Sequence, residues 1–589
     1  MEIILEFFKR SVTGRTWELP QINQARLSEF QSQLNSTELV ARILFNRGID
    51  TPDKATAFFS HTLAALMPNP SRLQDVDKAV DRITQGLKRN EKIYIWGDYD
   101  VDGTVSVSLF IRFFRSIGYN NVSFYIPDRL TEGYGLNYQG LTKIKSGGSS
   151  LVISVDCGTG NIKEAEFARD SGIEMIIIDH HKVGDTAPYS SAFINPQRPD
   201  RPEQDLKDLC SAGLVFMVLI AINRKLRSEN FYKDRLLTEP DLKEYFGMLS
   251  LATVCDVMRL TGLNRAYVFH GLKMLREKKD RRLTCLAEAA GLENIESAGH
   301  LGFILGPRIN AAGRVGDNSA LAVDFFISEI PNEVCDLAKK LSQINDKRKE
   351  IENQNLALAE GVLTDKKYIL ISDENMHPGI IGIVASRLKE KYNKPSFIIS
   401  LCKDICKGSA RSVDGIDIGS VIQKAVNEGI LSNGGGHKMA AGFSVHAGAI
   451  NKFEKFLDDV FADFKSADPT VKIDGFLSLS ALNERLFSDI LKLEPFGVGN
   501  PAPRFMFPRL IAIRIEVLKE KHIRCVLADE SGKTILGYLF NGMETSLGEY
   551  MLHLNVGKRV DVLGAAKCDF WKGKKQIKIL IEDLADAEP

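Results

Sequence analysis

Between about Lys92 and Pro196 short apolar runs alternate with helical patterns: KIYIW, SVSLFIRFF, NVSFYIP, LVISVD, IKEAEFARD and IEMIIID. Strand-like runs that are apolar throughout bury both faces of a sheet, and the helices between them predict a parallel arrangement. Ligands of such sheets sit beyond the carboxyl ends of the strands. Acidic residues gather at those ends. KIYIW runs into Gly97-Asp98-Tyr99-Asp100-Val101-Asp102-Gly103, LVISVD ends at Asp156, and IEMIIID ends at Asp179, followed by His180 and His181.

Three carboxylates at alternate positions, where a strand becomes a loop, crowd hard oxygen ligands together and call for a cation. The opening D-x-D-x-D-G also fits an EF-hand, but the twelfth loop position is Leu109, where a bidentate Glu is needed, and the preceding flank is a strand. Helix capping needs one carboxylate, so it does not account for three. Convergence of three acid-terminated strands on one crevice predicts a metal site.

Length and composition bound the rest. A chain of 589 residues exceeds one hydrophobic core, so three or four domains are expected. Lys plus Arg and Asp plus Glu both number 76, so any polyanion site must be a local patch. Nine scattered cysteines and no secretory pattern point to reduced thiols and a cytoplasmic protein. Cys402 and Cys406 read as packing residues, because no further Cys or His pair completes a zinc site. The apolar run from Ala212 to Ile222 is shorter than the roughly 20 residues of a membrane span, so it reads as a buried helix and no membrane is expected.

From Glu333 to Val362 a near-heptad seam of Val334, Leu337, Leu341, Ile344, Ile351, Leu358 and Val362 predicts one long helix. Arg348 and Asn355 break the seam, which favours packing within the chain over a coiled-coil dimer. A second strand and helix alternation runs from KYILIS to the glycines Gly434, Gly435 and Gly436, and after Lys472 short strands such as RLIAIRIEVL and RVDVLGAA suggest a small β-barrel.

Asp179-His180-His181, after the Asp-rich first motif and the VDCG second motif, resembles the DHH phosphoesterase family in motif and in order. LATVCDVM, with Asp256, is similar to a fourth family element. GPRINAAGR (Gly306 to Arg314), HPGIIGIVASRL, KGSARSVDGID, GGGHKMAAGF and EPFGVGNPAPRF together resemble the RecJ branch over roughly residues 45 to 585. That resemblance implies an α/β fold class: a parallel-sheet DHH domain joined by a long helix to a second α/β (DHHA1) domain, plus a C-terminal OB-like β-barrel. The corresponding boundaries are residues 1–45 for an N-terminal extension, 46–330 for the DHH catalytic domain, 331–365 for the connecting helix, 366–465 for DHHA1 and 472–589 for the barrel. The implied activity is a 5′→3′ exonuclease specific for single-stranded DNA, releasing 5′-mononucleotides in recombination and repair.

For the site, the resemblance implies two divalent ions held by Asp98, Asp100, Asp102, Asp156, His180 and Asp256, with Asp156 as bridge. Two ions about 3.5–4 Å apart can activate water and stabilise the attacking and leaving oxygens of an in-line displacement. One imidazole among oxygens suits Mn²⁺ somewhat better than Mg²⁺. His181 is expected to face the scissile phosphate; the bland alternative is a buried His bonded to backbone. Arg308 and Arg314 are candidates for transition-state charge, against salt bridges to carboxylates. Arg129, with Ser409 and Arg411 on one face of an extended chain, matches a pocket for a 5′-terminal phosphate, against a role as interdomain salt bridges. Gly435, Gly436 and His437 are candidate phosphate contacts in a glycine-rich turn.

The barrel resembles OB-folds that stack bases on aromatics beside a basic groove. Phe570, Trp571, Lys572, Lys574, Lys575 and Lys578 offer that combination, although a solvated edge strand would read the same way. Single-stranded DNA with a 5′ end is the implied partner, with a single-strand-binding protein and a helicase beside it. Two other readings compete. A DHH phosphodiesterase for short RNA or cyclic dinucleotides usually lacks the barrel and EPFGVGNP, and an inactive DHH scaffold would lose metal ligands that this chain keeps. Ser211 stands in LCSAG where the family often has Gly, a departure that removes no ligand.

Overall fold

The computed structural model describes residues 8–587 except 201, 202, 204, 317, 465–468, 556, 572 and 573, and leaves out the side chains of 8 and 569–575. The chain forms two compact units, one of Leu63–Met258 with Leu263–Ala467 and the other of Met1–Thr62, Arg259–Gly262 and Asp468–Pro589.

In the first unit, β1 (Ile93–Trp96), β2 (Val122–Tyr125), β3 (Leu151–Val155), β4 (Glu174–Ile178) and β5 (Ala192–Ile194) form a wholly parallel sheet in the order β2-β1-β3-β4-β5. The acid-terminated strands β1, β3 and β4 are therefore neighbours. Every residue of β3 is buried, as expected of a strand covered on both faces. Helix α1 (Val101–Ser116) starts at Asp100, whose carboxylate caps it by accepting from the Gly103 N–H at 3.0 Å. The apolar run read from the sequence becomes α2 (Ser211–Ser228), and α3 (Phe246–Cys255) ends at Asp256. A π-helical turn, Leu301–Leu305, leads directly into α4 (Gly306–Val315).

The long helix is α5 (Pro331–Glu360). It packs within its own chain, with Val334 and Leu341 of the seam buried, but toward its C-terminal end the buried face shifts away from the seam. Leu358 is 41% exposed and Val362, beyond the helix end, is 60% exposed. Ala338, Asn345, Glu352 and Ala359 are buried together with Val334, Leu341 and Asn355. Polar groups hold that face because partners satisfy them: Arg348, one turn earlier on α5, and the remote Arg387 pair with Glu352 at 2.7 and 3.2 Å, and Asn355 accepts from the His377 N–H and donates to the Asn375 carbonyl. The expectation that the cysteines are all thiols also needs correction. Cys335 on α5 is bonded to Cys285 in the neighbouring helix Arg281–Ala289, where the fold brings their Cα atoms to 5.2 Å.

After α5 come β6 (Ile369–Asp373), α6 (Ile381–Tyr392), β7 (Ser396–Ser400), β8 (Ile405–Arg411), α7 (Ile418–Asn427), β9 (Asn433–His437) and β10 (Ala440–His446). Their sheet runs β9-β10-β8-β7-β6, with only β6 and β7 parallel. The glycine cluster is thus edge strand β9 instead of a turn. Two of its three glycines answer to packing: a Cβ at Gly434 would sit 2.6 Å from Ile422 on α7, and one at Gly436 would sit 2.3 Å from the Ala440 carbonyl oxygen, whereas one at Gly435 would meet open space.

In the second unit, β11 (Phe505–Leu518), β12 (His522–Ala528), β13 (Thr534–Leu539), β14 (Arg559–Trp571) and β15 (Lys574–Asp586) close into a five-stranded barrel through the β11–β14 pairing. Its core is shared with Leu27, Phe30, Val40, Ile43 and Leu44 from the N-terminal helices, which pack with Phe505, Phe507, Ile523, Val560 and Ile579. Among the described residues no helix is long and apolar enough to cross a membrane.

Candidate metal centre

The turn after β1 must bring three carboxylates round the start of α1, so backbone approaches backbone closely there. A Cβ at Gly103 would lie 2.6 Å from the Asp98 backbone N and O, which explains the glycine closing the motif. Asp98, Asp102 and Asp156 are all under 5% exposed. Asp102 points at the N-terminus of α2, its two oxygens accepting from the N–H groups of Ser211 at 2.7 Å and Ala212 at 2.9 Å. Asp156 leaves β3 with φ of +60°, a conformation that costs a non-glycine residue energy and is kept where surrounding contacts impose it. Those contacts are present. The Asp156 N–H donates to the Ile178 carbonyl at 3.1 Å, and the Tyr134 hydroxyl donates to the Asp156 carbonyl at 2.9 Å.

His180 Nε2 lies 3.4 Å from an Asp156 oxygen, 3.4 Å from one of Asp256 and 4.0 Å from one of Asp102. Three overlapping groups have ligand atoms close enough to share an ion: Asp98, Asp100 and Asp156; Asp102, His180 and Asp256; and Asp156, His180 and His181. All six residues expected as ligands are thus brought together. Burial and then neighbouring carboxylate charge push the carboxyls of Asp98, Asp156 and Asp256 well above their usual range, and burial lowers the pKa of His180. Asp98 Oδ1, His180 Nε2 and Asp256 Oδ2 are buried without hydrogen-bond partners among the described residues. Buried anionic oxygens and a bare imidazole nitrogen that face one another, unpaired, fit divalent cations.

Asp179 takes no part in those groups and instead orients them. Its oxygens accept from the N–H groups of Thr159, His180 and His181 at 3.0, 2.8 and 3.2 Å, and from His181 Nδ1 at 2.7 Å. These bonds hold the Asp179 carboxyl far below its usual range even though it is buried. Burial works against protonation of His181, but the Asp179 hydrogen bond outweighs it and raises the imidazole. Tyr134, half exposed, has its hydroxyl 3.3 Å from His181 Nδ1. Sequence reasoning passed over it, although it lies only five residues after Arg129.

The arginines separate. Arg308 donates to the Ile304 carbonyl at 2.5 Å and to the Ser342 hydroxyl at 3.2 Å, so it braces the π-turn against α5. Arg314 is partly buried, donates to the Gly379 carbonyl at 3.3 Å and has its pKa lowered to about 10, by desolvation first and then by the charges of Arg129, Arg348 and Arg411. The Arg129 guanidinium lies 4.9 Å from the centroid of the Tyr99 ring. Arg411 donates to the hydroxyls of Ser386 at 3.1 Å and Ser409 at 3.0 Å, so Ser409 and Arg411 do share a face of β8. Among the described residues no carboxylate forms an ion pair with Arg129, Arg314 or Arg411. Arg314, Gly382, Ser386 and Arg411 line a cavity of about 250 Å³ together with Ile383, Arg387 and Glu390. Gly435, Gly436 and His437 are exposed on β9 and belong to none of the metal-ligand groups.

In the barrel, Lys572 and the side chains of Phe570, Trp571, Lys574 and Lys575 lie outside the described residues. Other aromatics surface instead. Phe540 is 55% exposed and stacks on Tyr538, with ring centroids 6.4 Å apart, and Lys578 Nζ lies 4.9 Å from the centroid of the Tyr538 ring.

Family models match three stretches: the DHH family, N-terminal domain at residues 92–250, the DHHA1 domain at 365–463 and the RecJ OB domain at 473–583. The single-stranded-DNA-specific exonuclease RecJ of Bacillus subtilis is 29% identical over 97% of this chain and 71% of its own length. The crystal structure of RecJ in complex with Mn²⁺ from Thermus thermophilus superposes with a TM-score of 0.80 at 26% identity, covering 97% of this chain and 80% of that one. A structure of exonuclease RecJ bound to manganese is 30% identical, with 97% of it and 68% of this chain covered at a TM-score of 0.56. With its three domains in this order and its cluster of ligands intact, the chain belongs to the RecJ family of DHH phosphoesterases.

Proposed function

We propose that this protein is a metal-dependent exonuclease that degrades single-stranded DNA from its 5′ end, releasing 5′-mononucleotides in recombination and repair. The observation that carries the reading is the meeting of two sets of groups: carboxylate and imidazole ligands left open at the strand ends, and three arginines with no acidic partner among the described residues, one of them stacked on Tyr99 beside Asp98.

Asp98, Asp100 and Asp156 would hold one divalent ion, and Asp102, His180 and Asp256, sharing Asp156, a second. Bound Mn²⁺ or Mg²⁺ supplies activation of water and stabilises charge on the reacting phosphoryl oxygens. His181, with Nδ1 engaged by Asp179, keeps Nε2 for the substrate and, being raised, can donate a hydrogen bond or a proton to a phosphate or leaving oxygen. Arg314 is the better placed of the two candidate arginines to neutralise phosphate charge, since Arg308 is engaged with Ile304 and Ser342. Arg129, Ser409 and Arg411 offer donors to a terminal phosphate, whose extra charge distinguishes an end from an internal diester. Gly435, Gly436 and His437 remain candidates for the strand backbone, because an edge strand offers unpaired N–H groups.

An enzyme specific for single strands acts on a duplex only after something else has parted it, so a helicase and a single-strand-binding protein are the fitting partners, in the cytoplasm. Digestion of single-stranded, duplex and dinucleotide substrates with Mn²⁺, labelled at each end in turn, tests the reading. Immediate release of the 5′ label as a mononucleotide from single strands is the expected result. Release from the 3′ end first, or turnover of dinucleotides alone, would overturn it.

A further inference from the structure

Phe303 is 87% exposed, which for a large aromatic ring in a water-soluble unit has no packing explanation. It does not sit on a loose loop. It is the central residue of the π-turn Leu301–Leu305, whose first and last residues are both fully buried. The turn is clamped from below: the Cys255 thiol approaches the Leu301 carbonyl at 3.7 Å, and a Cβ at Gly302 or Gly306 would come within 3.2 Å of Val254 and 2.3 Å of Cys255. Arg308 fastens it from the other side through the Ile304 carbonyl. π-Turns are uncommon and recur at functional sites, and this one is held from both sides so as to present one ring outward.

The residues it is clamped to are the two that precede Asp256, a member of the metal-ligand groups. Val257, on the other side of Asp256, is 64% exposed and adopts φ of +60°, so a second apolar side chain is turned outward at the same ligand. From the π-turn, the ten-residue α4 carries Arg314 near its far end, with Gly313 packed against Tyr99. At about 1.5 Å per residue the helix spans roughly 15 Å. Phe303 and the arginines that would take the 5′ phosphate thus stand at opposite ends of α4, with ligand-bearing turns beside each end.

We propose that Phe303 is a base-stacking residue that grips the single strand on the 3′ side of the scissile phosphate, with Val257 as an apolar contact beside it. The inference rests on the exonuclease reading above. Every base has a π-face, so stacking holds a strand without regard to sequence. A base paired and stacked within a duplex cannot offer that face, so the same ring contributes to selection of single strands.

The test uses the full chain as wild type, Phe303→Ala and Phe303→Trp. Binding of a 5′-phosphorylated oligonucleotide is measured by fluorescence anisotropy in EDTA, and KM and kcat are measured with Mn²⁺ on strands carrying one abasic site moved stepwise from the 5′ end. Phe303→Ala is expected to weaken binding by roughly tenfold or more, to raise KM more than it lowers kcat, and to be rescued by Trp. One abasic position should weaken binding to the wild type and make no further difference to Phe303→Ala, because ring and base are then missing together. Because the ring is exposed, its removal leaves the fold intact, which thermal melting checks. Unchanged affinity in Phe303→Ala, or an abasic penalty that persists in it at every position, overturns the proposal. A wild type that cleaves no single strand would instead refute the exonuclease reading itself.

Discussion

The Ser211 hydroxyl donates to Oδ1 of Asp156 at 3.1 Å, while the Ser211 N–H donates to Oδ2 of Asp102 at 2.7 Å. One fully buried residue at the start of α2 thereby fixes the orientation of carboxylates from two different strand ends. Ser211→Gly keeps the N–H and removes the hydroxyl, leaving Asp156 to rotate. A buried hydrogen bond to a charged group contributes about 1.5–3 kcal/mol, and part of that is recovered when the ion itself orients the carboxylate. Calorimetric titration of Mn²⁺ into metal-stripped protein should show affinity lowered about tenfold, with the wild-type secondary structure retained. Unchanged affinity would mean that Asp156 is fixed by its backbone alone.

The raised carboxyls of Asp98, Asp156 and Asp256 give the metal-free protein a characteristic pH dependence. A carboxyl whose folded value is raised contributes stability that is fully present below the unfolded value near 4, and that is lost as the pH rises through the folded value. Metal-free protein should therefore lose stability from mildly acidic toward neutral pH, and Mn²⁺, which favours the ionised forms, should restore it. Asp156→Asn removes one charge from the cluster. It should abolish turnover while raising the neutral-pH melting temperature of the metal-free protein above that of the wild type, and Asp100→Ala and Asp256→Ala should likewise abolish turnover with the fold intact. A metal-free Asp156→Asn that melts below the wild type across pH 5–8 would show that the carboxylate is already compensated without an ion.

The carboxylates were legible because each ends a run whose burial the hydrophobic pattern already implied, so motif and strand end coincide at Asp98, Asp156 and Asp179. What was illegible depends on distant partners. The buried face of α5 turns toward Asn345, Glu352 and Asn355 because Arg387 and the segment around His377 satisfy them, and no local periodicity contains that information. Arg308 and Arg314 look alike in GPRINAAGR, and only the π-turn separates the brace from the cluster. In the glycine run, the contacts that Gly434 and Gly436 relieve are with α7 and β10, which the local sequence does not reveal. In the barrel, strand closure brings Lys578 of β15 against Tyr538 of β13, a pairing that a linear search for adjacent aromatics and lysines passes over.

Removal of residues 472–589 would be a poor test of strand binding by the barrel, since Leu27, Phe30 and Leu44 share its core and would be uncovered. Point variants avoid this. Phe540→Ala and Tyr538→Ala should each weaken binding of long single strands several-fold if bases stack on this face, and Lys578→Ala should reduce the slope of log affinity against log salt by about 0.7, the value for one fewer single-strand phosphate contact. Anisotropy titrations between 50 and 300 mM salt read both effects. An unchanged slope together with unchanged affinity in all three variants would remove this face from the strand path.

Direction must come from outside the metal cluster, because a pair of divalent ions has no polarity of its own. The arginine cluster supplies an asymmetry. Arg129 lies on the Asp98 side through its contact with Tyr99, Arg411 and Ser409 come from β8, and the Lys407 ammonium donates to the Leu130 carbonyl at 2.9 Å, which ties β8 to the Arg129 loop. A role as interdomain salt bridges is disfavoured, since no carboxylate among the described residues pairs with Arg129 or Arg411. Instead burial, and then repulsion from the Arg129 charge, lowers the pKa of Arg411. An anion relieves that repulsion, and a terminal phosphate, with more charge than a diester, relieves it more. Arg129→Ala and Arg411→Ala should therefore lower the rate ratio between 5′-phosphorylated and 5′-hydroxyl strands of matched sequence, by tenfold or more if a charge-assisted bidentate contact of about 1.5–3 kcal/mol is lost. Mn²⁺ affinity should be unaffected, and each single variant should melt no lower than the wild type, since removing one of several mutually repelling cations leaves a less strained cluster. Equal losses on both substrates would assign these residues to the internal backbone, and the 5′→3′ direction would then have to arise elsewhere.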